Sequence, residues 1–388
     1  MKVLRNNYLF YGLVSLIAIV LSLWLYYLAP HKGSFHTNYN DFLIFRQSFR
    51  HLLQHNDLYI LYPNEYNDLF KYSPSFAMFM VPFAYLPEFL GLIAWNVLNL
   101  LVVFYAFRNF SFRNDKRMLL AMGFILIEAL TSLVATQSNC IMAGLLIITY
   151  ICLEKKKLLW ATFFVVLSIF IKPFGLVAFT LFLFYPEKLK ALGYSVMWFI
   201  LIFILPLLVI SPYGLAGEYK SWFLLLKNDH DSSLGISFFG LMHSWFGLTN
   251  KNAELYAGAV FLVLPLIRYK AYANHLFQML FLASILIWVI IFNHKAEAPG
   301  YIIAICGVAI WYFIQAPNKL NTILLFMVLV FTVLEPTDVF PKPFRDKYFT
   351  PNFVCVIPCV LVWIKIMWEL MTKNFSLQEG SSAENLAE

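Results

Sequence analysis

The chain has 388 residues, of which 61% are hydrophobic, 19% aromatic and only 13% charged. A soluble globular domain carries about 25% charged residues, so this composition excludes an ordinary soluble enzyme and implies an integral membrane protein. The net charge of +7 does not require nucleic acid, because the short cytoplasmic loops of membrane proteins hold excess Lys and Arg for orientation alone.

The first element is the apolar run 9–29 in "MKVLRNNYLFYGLVSLIAIVLSLWLYYLAP". It is long enough to span, and no small-residue cleavage site follows, so it reads as a retained first helix and not a signal peptide. Next comes "NYNDFLIFRQSFRHLLQHNDLY", residues 38–59. Phe42, Phe45, Phe49, Leu52 and Leu53 recur at helical spacing, while Arg46, Gln47, Arg50, His51 and Gln54 take the other face. This predicts an amphipathic helix lying on the outer membrane surface, Phe/Leu face in lipid and Arg/Gln face in water. Asp41 stands at its start, where free backbone N–H groups and the helix dipole favour a carboxylate. An inert amphipathic linker is the plainer reading of the same pattern.

The run 75–107 is too long for one straight crossing, and Pro82 and Pro87 divide it into a short re-entrant or interfacial piece and the segment 88–107. Further apolar runs lie near 118–136, 138–153, 158–171, 174–185, 193–211, 253–268, 275–293, 299–314, 320–334 and 352–371. Lys172-Pro173 separates two of them, 158–171 and 174–185, which read as two short cavity-lining segments, the alternative being one helix kinked at Pro173. Threaded alternately, the runs give an all-α polytopic bundle of about twelve transmembrane helices. The loops 108–117, with four Lys/Arg, 154–157 ("EKKK"), 185–191 and 268–274 then share one side with the N-terminus. By the positive-inside rule that side is the cytoplasm of a cell (plasma or inner) membrane, and both termini lie there. The polar stretches 30–74, 212–251 and 335–351 fall outside. Residues 1–372 form one membrane domain, and 373–388 read as a disordered cytoplasmic tail.

All five cysteines (Cys140, Cys152, Cys306, Cys355 and Cys359) lie inside apolar runs and read as packing residues. There is no Gly-rich phosphate loop, no HExxH and no paired Cys/His pattern, so neither a cofactor nor a metal is expected. Lys172 is the most informative cation. An ammonium flanked by "FVVLSIFI" and "PFGLVAF" costs about 2.5–3.5 kcal/mol at the centre of an inserted helix, and such a residue faces a cavity or an anion. The alternative is a lysine at a helix end that snorkels to the interface. His294, Lys295 and Glu297 form a second polar cluster, equally readable as an ordinary charged loop. Gln137 and Asn139 offer neutral amides suited to sugar hydroxyls, or to capping the tight turn they occupy.

The order of "D-x₃-F" at Asp41, the amphipathic helix, "NDLY" and "FKYSPSF…PFAYLP" resembles glycosyltransferase family 87, polytopic enzymes of the GT-C superfamily. "TQSN" (136–139) followed by Lys172-Pro173 is similar to that family's "G-Q-x-N" and "x-K-P" block, with Thr136 in place of the Gly. "NHKAEAPGY" (293–301) stands where the family has a polar, often His-bearing, loop before a Tyr-containing helix. The resemblance covers roughly residues 9–315 and rests on the order of diffuse motifs. It implies a GT-C-type fold and transfer of a hexose, most simply mannose, from a polyprenyl phosphate to a hydroxyl of a glycolipid or glycan in the cell envelope. The partners are thus the lipid-linked donor, the acceptor and membrane lipids, with no nucleic acid. By the same resemblance Asp41 is the candidate base; Asp57 and Asp68, on the same loop, are the fallbacks. Lys172 and either His294 or Lys295 are the candidates for the donor phosphate, with Lys71 reaching the same phosphate or anchoring the loop at the headgroups. Gln137 and Asn139 are candidates for sugar or acceptor hydroxyls, and Glu297 for the same or for orienting a cation. The rival class is a transporter or flippase of lipid-linked sugars, which needs polar groups on both sides and often repeated halves. Here polar residues gather outside, and no repeat is seen.

Overall fold

The computed structural model describes residues 6–29, 37–337 and 339–375, and omits the side chains of 229–232. Residues 376–388 of the expected tail, and 30–36 of the first loop, therefore lie outside the described residues. Those described form helices and connecting turns, with no strand among them. The fold class is all-helical, as the apolar periodicity requires.

The first helices in chain order are α1 (Asn7–Tyr27), α2 (Asn40–Leu53), α3 (Pro74–Phe79), α4 (Val81–Tyr85), α5 (Glu88–Asn109) and α6 (Asp115–Val134). Then come α7 (Asn139–Glu154), α8 (Leu158–Ile171), a 3₁₀ segment (Pro173–Phe184), α9 (Lys188–Phe203) and α10 (Pro212–Ser232). The rest of the chain holds α11 (Phe238–Phe246), α12 (Lys251–Val263), α13 (His275–Ile291), α14 (Ile302–Phe313), α15 (Lys319–Val328), α16 (Lys342–Tyr348) and α17 (Val356–Thr372). Starts follow local chemistry. Ser73 caps α3 with Pro74 in its first turn, and the Asn6, Asn274 and Asn318 side chains cap α1, α13 and α15.

The chain divides into two compact units. Unit 1 comprises 1–110, 129–176 and 190–233, and unit 2 comprises 111–128, 177–189 and 234–388. In unit 1, α7 is buried along every face from Asn139 to Leu153, as a helix apolar all round must be. It packs on α5 and α8, and α5 packs on α1. Gly144 permits the α5 contact, since a Cβ there would stand 2.9 Å from the Val102 backbone. In unit 2, α13 plays the same part, buried from Phe277 to Ile291 against α14 and α17. Of the five cysteines, four are buried and Cys355 is partly exposed, consistent with packing roles.

Among the described residues, three helices qualify as membrane spans by length and apolarity (α1, α5 and α6), or up to four if 342–352 and α17, bent by 44°, count as one. Other apolar helices have 10–17 residues. α5 starts after Pro87 and α8 ends at Ile171 before the 3₁₀ segment, as expected, whereas the short first piece is itself split at Met80 into α3 and α4.

One expectation is corrected. The Phe/Leu face of α2 does not lie in lipid. Phe42, Phe45, Phe49 and Leu52 are all buried within the protein, and among the large side chains only Leu53 is exposed. Phe45 meets Tyr72, Phe76 and Trp95 edge-on, at centroid distances of 4.8, 5.3 and 5.5 Å. Two residues of the polar face, Arg46 and His51, are buried as well. Arg46 donates to the Leu86 carbonyl at 3.0 Å and pairs with Glu88 at 3.5 Å, and His51 lies 3.0 Å from Glu65. The physical reason is that Tyr72, Phe76 and Trp95 supply an aromatic surface and Leu86 a carbonyl group, so α2 finds its partners within the protein.

A candidate active site around the Thr136–Asn139 turn

The turn between α6 and α7 organises the polar residues of unit 1. Thr136 has φ +55°, a left-handed conformation that glycine adopts at no steric cost and threonine does not. That is a physical reason for a glycine in the similar "G-Q-x-N" pattern. Threonine adds an anchor here: its hydroxyl accepts the Phe42 N–H at 3.0 Å, and its carbonyl accepts the Trp95 indole N–H at 2.7 Å. The first of these bonds ties the N-terminus of α2 to the turn, next to Asp41 on one strand of the chain and Gln137 on the other. Asn40 strengthens the same corner through a reciprocal pair with Asn67, at 2.7 and 2.8 Å. Asp41 itself is half-buried.

Lys172 occupies the break after α8. The proline that follows disfavours a helical residue before it, and Lys172 is extended at φ −140°, ψ 122°. Its ammonium donates to Asn139 Oδ1 at 2.6 Å, and Asn139 Nδ2 donates to Gln137 Oε1 at 2.6 Å. The rings of Tyr72 and Phe174 stand 5.9 and 6.0 Å from the same Nζ, within cation–π range. Tyr72 is also joined to the turn by a 3.0 Å bond between its hydroxyl and that of Ser138. Lys172 is thus bound to Asn139 and joined through it to Gln137, beside the rings of Tyr72 and Phe174.

The remaining first-loop residues are committed locally. Lys71 pairs with Asp68 at 3.0 Å, and the other Asp68 oxygen accepts the Leu69 N–H at 2.7 Å. Asp57 accepts the Tyr59 N–H at 2.8 Å. Glu218 on α10 reaches the same loop and accepts the Leu58 N–H at 3.3 Å. Burial, assisted by the nearby Asp57 charge, pushes its pKa up to about 7. Sequence reading had no signal for Glu218, because the contact spans 160 residues.

His294, Lys295 and Glu297 belong to unit 2, on the link between α13 and a 3₁₀ turn at Ala298–Tyr301. His294 and Lys295 are half-buried and Glu297 is exposed. The loop is held by Ile236 N–H donating to the Ala296 carbonyl at 2.7 Å and by Tyr301 donating to the Ile236 carbonyl at 2.9 Å. Gly235, with φ +62°, allows this approach, since a Cβ would stand 2.7 Å from the His294 carbonyl oxygen. The expectation of no metal passed over Asp229-His230-Asp231 at the end of α10, whose side chains lie outside the described set.

These features define a helical membrane protein with a cation, amides and a carboxylate gathered at the ends of its helices. The family model for glycosyltransferase family 87 matches residues 70–336. The chain belongs to that family and is a membrane glycosyltransferase. The match includes Gln137, Asn139, Lys172 and the 294–297 cluster, and begins after Asp41, Asp57 and Asp68. A search of curated proteins finds no match.

Proposed function

We propose that this glycosyltransferase moves a hexose, most simply mannose, from a polyprenyl phosphate to a hydroxyl of a glycolipid or glycan. The reaction takes place on the extracytoplasmic side of a cell membrane crossed about twelve times. One observation carries the reading: the Lys172 ammonium, at a helix break, is joined through Asn139 and Gln137 to the turn whose Thr136 tethers the helix start bearing Asp41. A donor already activated by a phosphate leaving group needs little else. It needs a base for the acceptor hydroxyl and a cation for the departing oxygen.

In this scheme Asp41 takes the proton from the acceptor hydroxyl as its oxygen attacks the anomeric carbon. The bond from that carbon to the phosphate oxygen breaks, and the phosphate leaves with the electron pair. Lys172 balances the charge that develops there, with Lys71 as a further candidate cation. Gln137 and Asn139 are assigned to sugar hydroxyls. Single displacement inverts the anomeric centre. To test this, purified protein in lipid is incubated with a panel of polyprenyl-phosphate hexoses and glycolipid acceptors. Consumption of one donor with formation of a glycosylated acceptor is expected. Turnover of a nucleotide sugar, with every polyprenyl-phosphate donor left intact, overturns the reading.

A further inference from the structure

Unit 2 contains a cavity of about 960 Å³ lined by none of the residues assigned to the transfer reaction. It lies where α14 and α17 end and α13 begins, and its lining includes Arg113, Gln315, Lys365, Trp368, Glu369 and Lys373. The size sits at the upper end of the roughly 300–1,000 Å³ typical of small-molecule sites.

The lining is built and not merely crowded. Gln315 and Glu369 are both more than nine-tenths buried. Gln315 donates to the Glu369 carboxylate at 3.0 Å and accepts from the Lys373 ammonium at 2.7 Å. The other Glu369 oxygen pairs with Lys365 at 3.0 Å. Arg117 fixes the wall by hydrogen bonds to the Phe313 and Gln315 carbonyls. The described lining thus carries three cations, Arg113, Lys365 and Lys373, and a single carboxylate, whose two oxygens are engaged by Lys365 and Gln315. Burial, with the like charge of Lys365, lowers the pKa of Lys373 against the opposing pull of Glu369. Arg113 is exposed at the mouth and makes no ion pair or hydrogen bond among the described residues. The site is short of negative charge.

We propose that this cavity binds a phosphate-bearing anion, held by Arg113, Lys365 and Lys373. Two sources carry that group: the headgroup of an anionic phospholipid, and a soluble phosphate compound. The setting favours the lipid. Trp368 on α17 is 65% exposed, the placement of an aromatic ring at a membrane interface. Basic pockets between helix ends at such an interface suit anionic headgroups. The proposal is independent of the sugar donor.

The test uses the full-length protein, delipidated in detergent. One arm titrates phosphatidylglycerol in mixed micelles against phosphatidylcholine, and the other titrates inorganic pyrophosphate. The thermal unfolding midpoint is read in both. A saturable rise with phosphatidylglycerol, absent with phosphatidylcholine, supports a lipid headgroup. A saturable rise with pyrophosphate supports the soluble source. Either way, Arg113→Gln and Lys373→Gln should each raise the half-saturating concentration about fivefold, the equivalent of about 1 kcal/mol per basic residue. Arg113→Gln changes an exposed side chain, so its fold is not at stake. If neither probe stabilises the wild type, or if Arg113→Gln responds as the wild type does, the proposal is overturned.

Discussion

Asp41 and Lys172 carry opposite charges and are assigned opposite duties, and single substitutions separate those duties. General-base catalysis contributes about 10²–10⁴-fold, so Asp41→Asn should cost roughly 3–5.5 kcal/mol of transition-state stabilisation. The isosteric amide keeps the Phe42–Thr136 tether, so folding and donor affinity should be nearly unchanged. Turnover of Asp41→Asn within a few-fold of wild type, with Asp57→Asn or Asp68→Asn inactive, would move the base. The local bonds of Asp57 and Asp68 argue that those two variants are milder. Lys172→Ala should weaken donor use far more than acceptor use. Lys172→Arg should retain part of the function, since charge survives while the 2.6 Å bond to Asn139 must be rebuilt. Equal donor kinetics in wild type and Lys172→Ala would remove the phosphate role. Lys172, Gln137 and Asn139 were legible because each is a polar residue among apolar runs. Thr136 stood out only as a departure from glycine. Its role as a tether depends on a hydroxyl meeting a backbone N–H 94 positions away, which no local pattern encodes.

The helix α2 shows how far periodicity reaches at the scale of one element. Its existence and its two faces could be read from spacing, but what the faces touch could not, because a Phe stripe satisfied by lipid and one satisfied by Trp95 and Phe76 look alike in sequence. Its loop also carries titrations of opposite sign. Burial outweighs the Glu65 charge and holds His51 below its ordinary 6.5. Its contribution to stability is therefore present above about pH 6.5 and is lost as pH falls through the depressed value. Glu218 is the reverse case. Raised from 4.5 to about 7, it contributes stability that is full below pH 4.5 and is lost as pH rises through about 7. Thermal midpoints of the detergent-solubilised protein between about pH 5 and 8.5 should thus fall towards the alkaline end in wild type. Glu218→Gln should flatten that fall, because the amide keeps an acceptor for the Leu58 N–H and never ionises. The acid-side decline from His51 should persist in the variant. An alkaline decline equal to wild type in Glu218→Gln would assign the effect to another group.

At the scale of the molecule, composition pointed to a membrane protein and the apolar runs to a helical one, and Pro87 marked a real division before α5. The number of crossings was harder to read, for a physical reason. An α-helix rises 1.5 Å per residue, so the 14 residues of α8 cover roughly 21 Å of about 30 Å of hydrocarbon. The 12-residue 3₁₀ segment after it rises about 2.0 Å per residue and covers roughly 24 Å. Segments of this length cross only with help from snorkelling ends or a thinned bilayer. Hydropathy therefore counts them without deciding their path, whereas the basic loops do constrain it. If "EKKK" and the loop 108–117 face the cytoplasm, then 30–74 and α10 face outward, and Asp41 meets a lipid phosphate on the outer leaflet. The decisive measurement replaces the five native cysteines and introduces single ones at exposed positions. Cysteines at Ile60 and Lys220 should react with an impermeant maleimide on intact cells. Cysteines at Lys116 and Lys156 should react only after the cells are opened. Labelling of position 116 or 156 on intact cells would reverse the threading and put the proposed reaction on the opposite face.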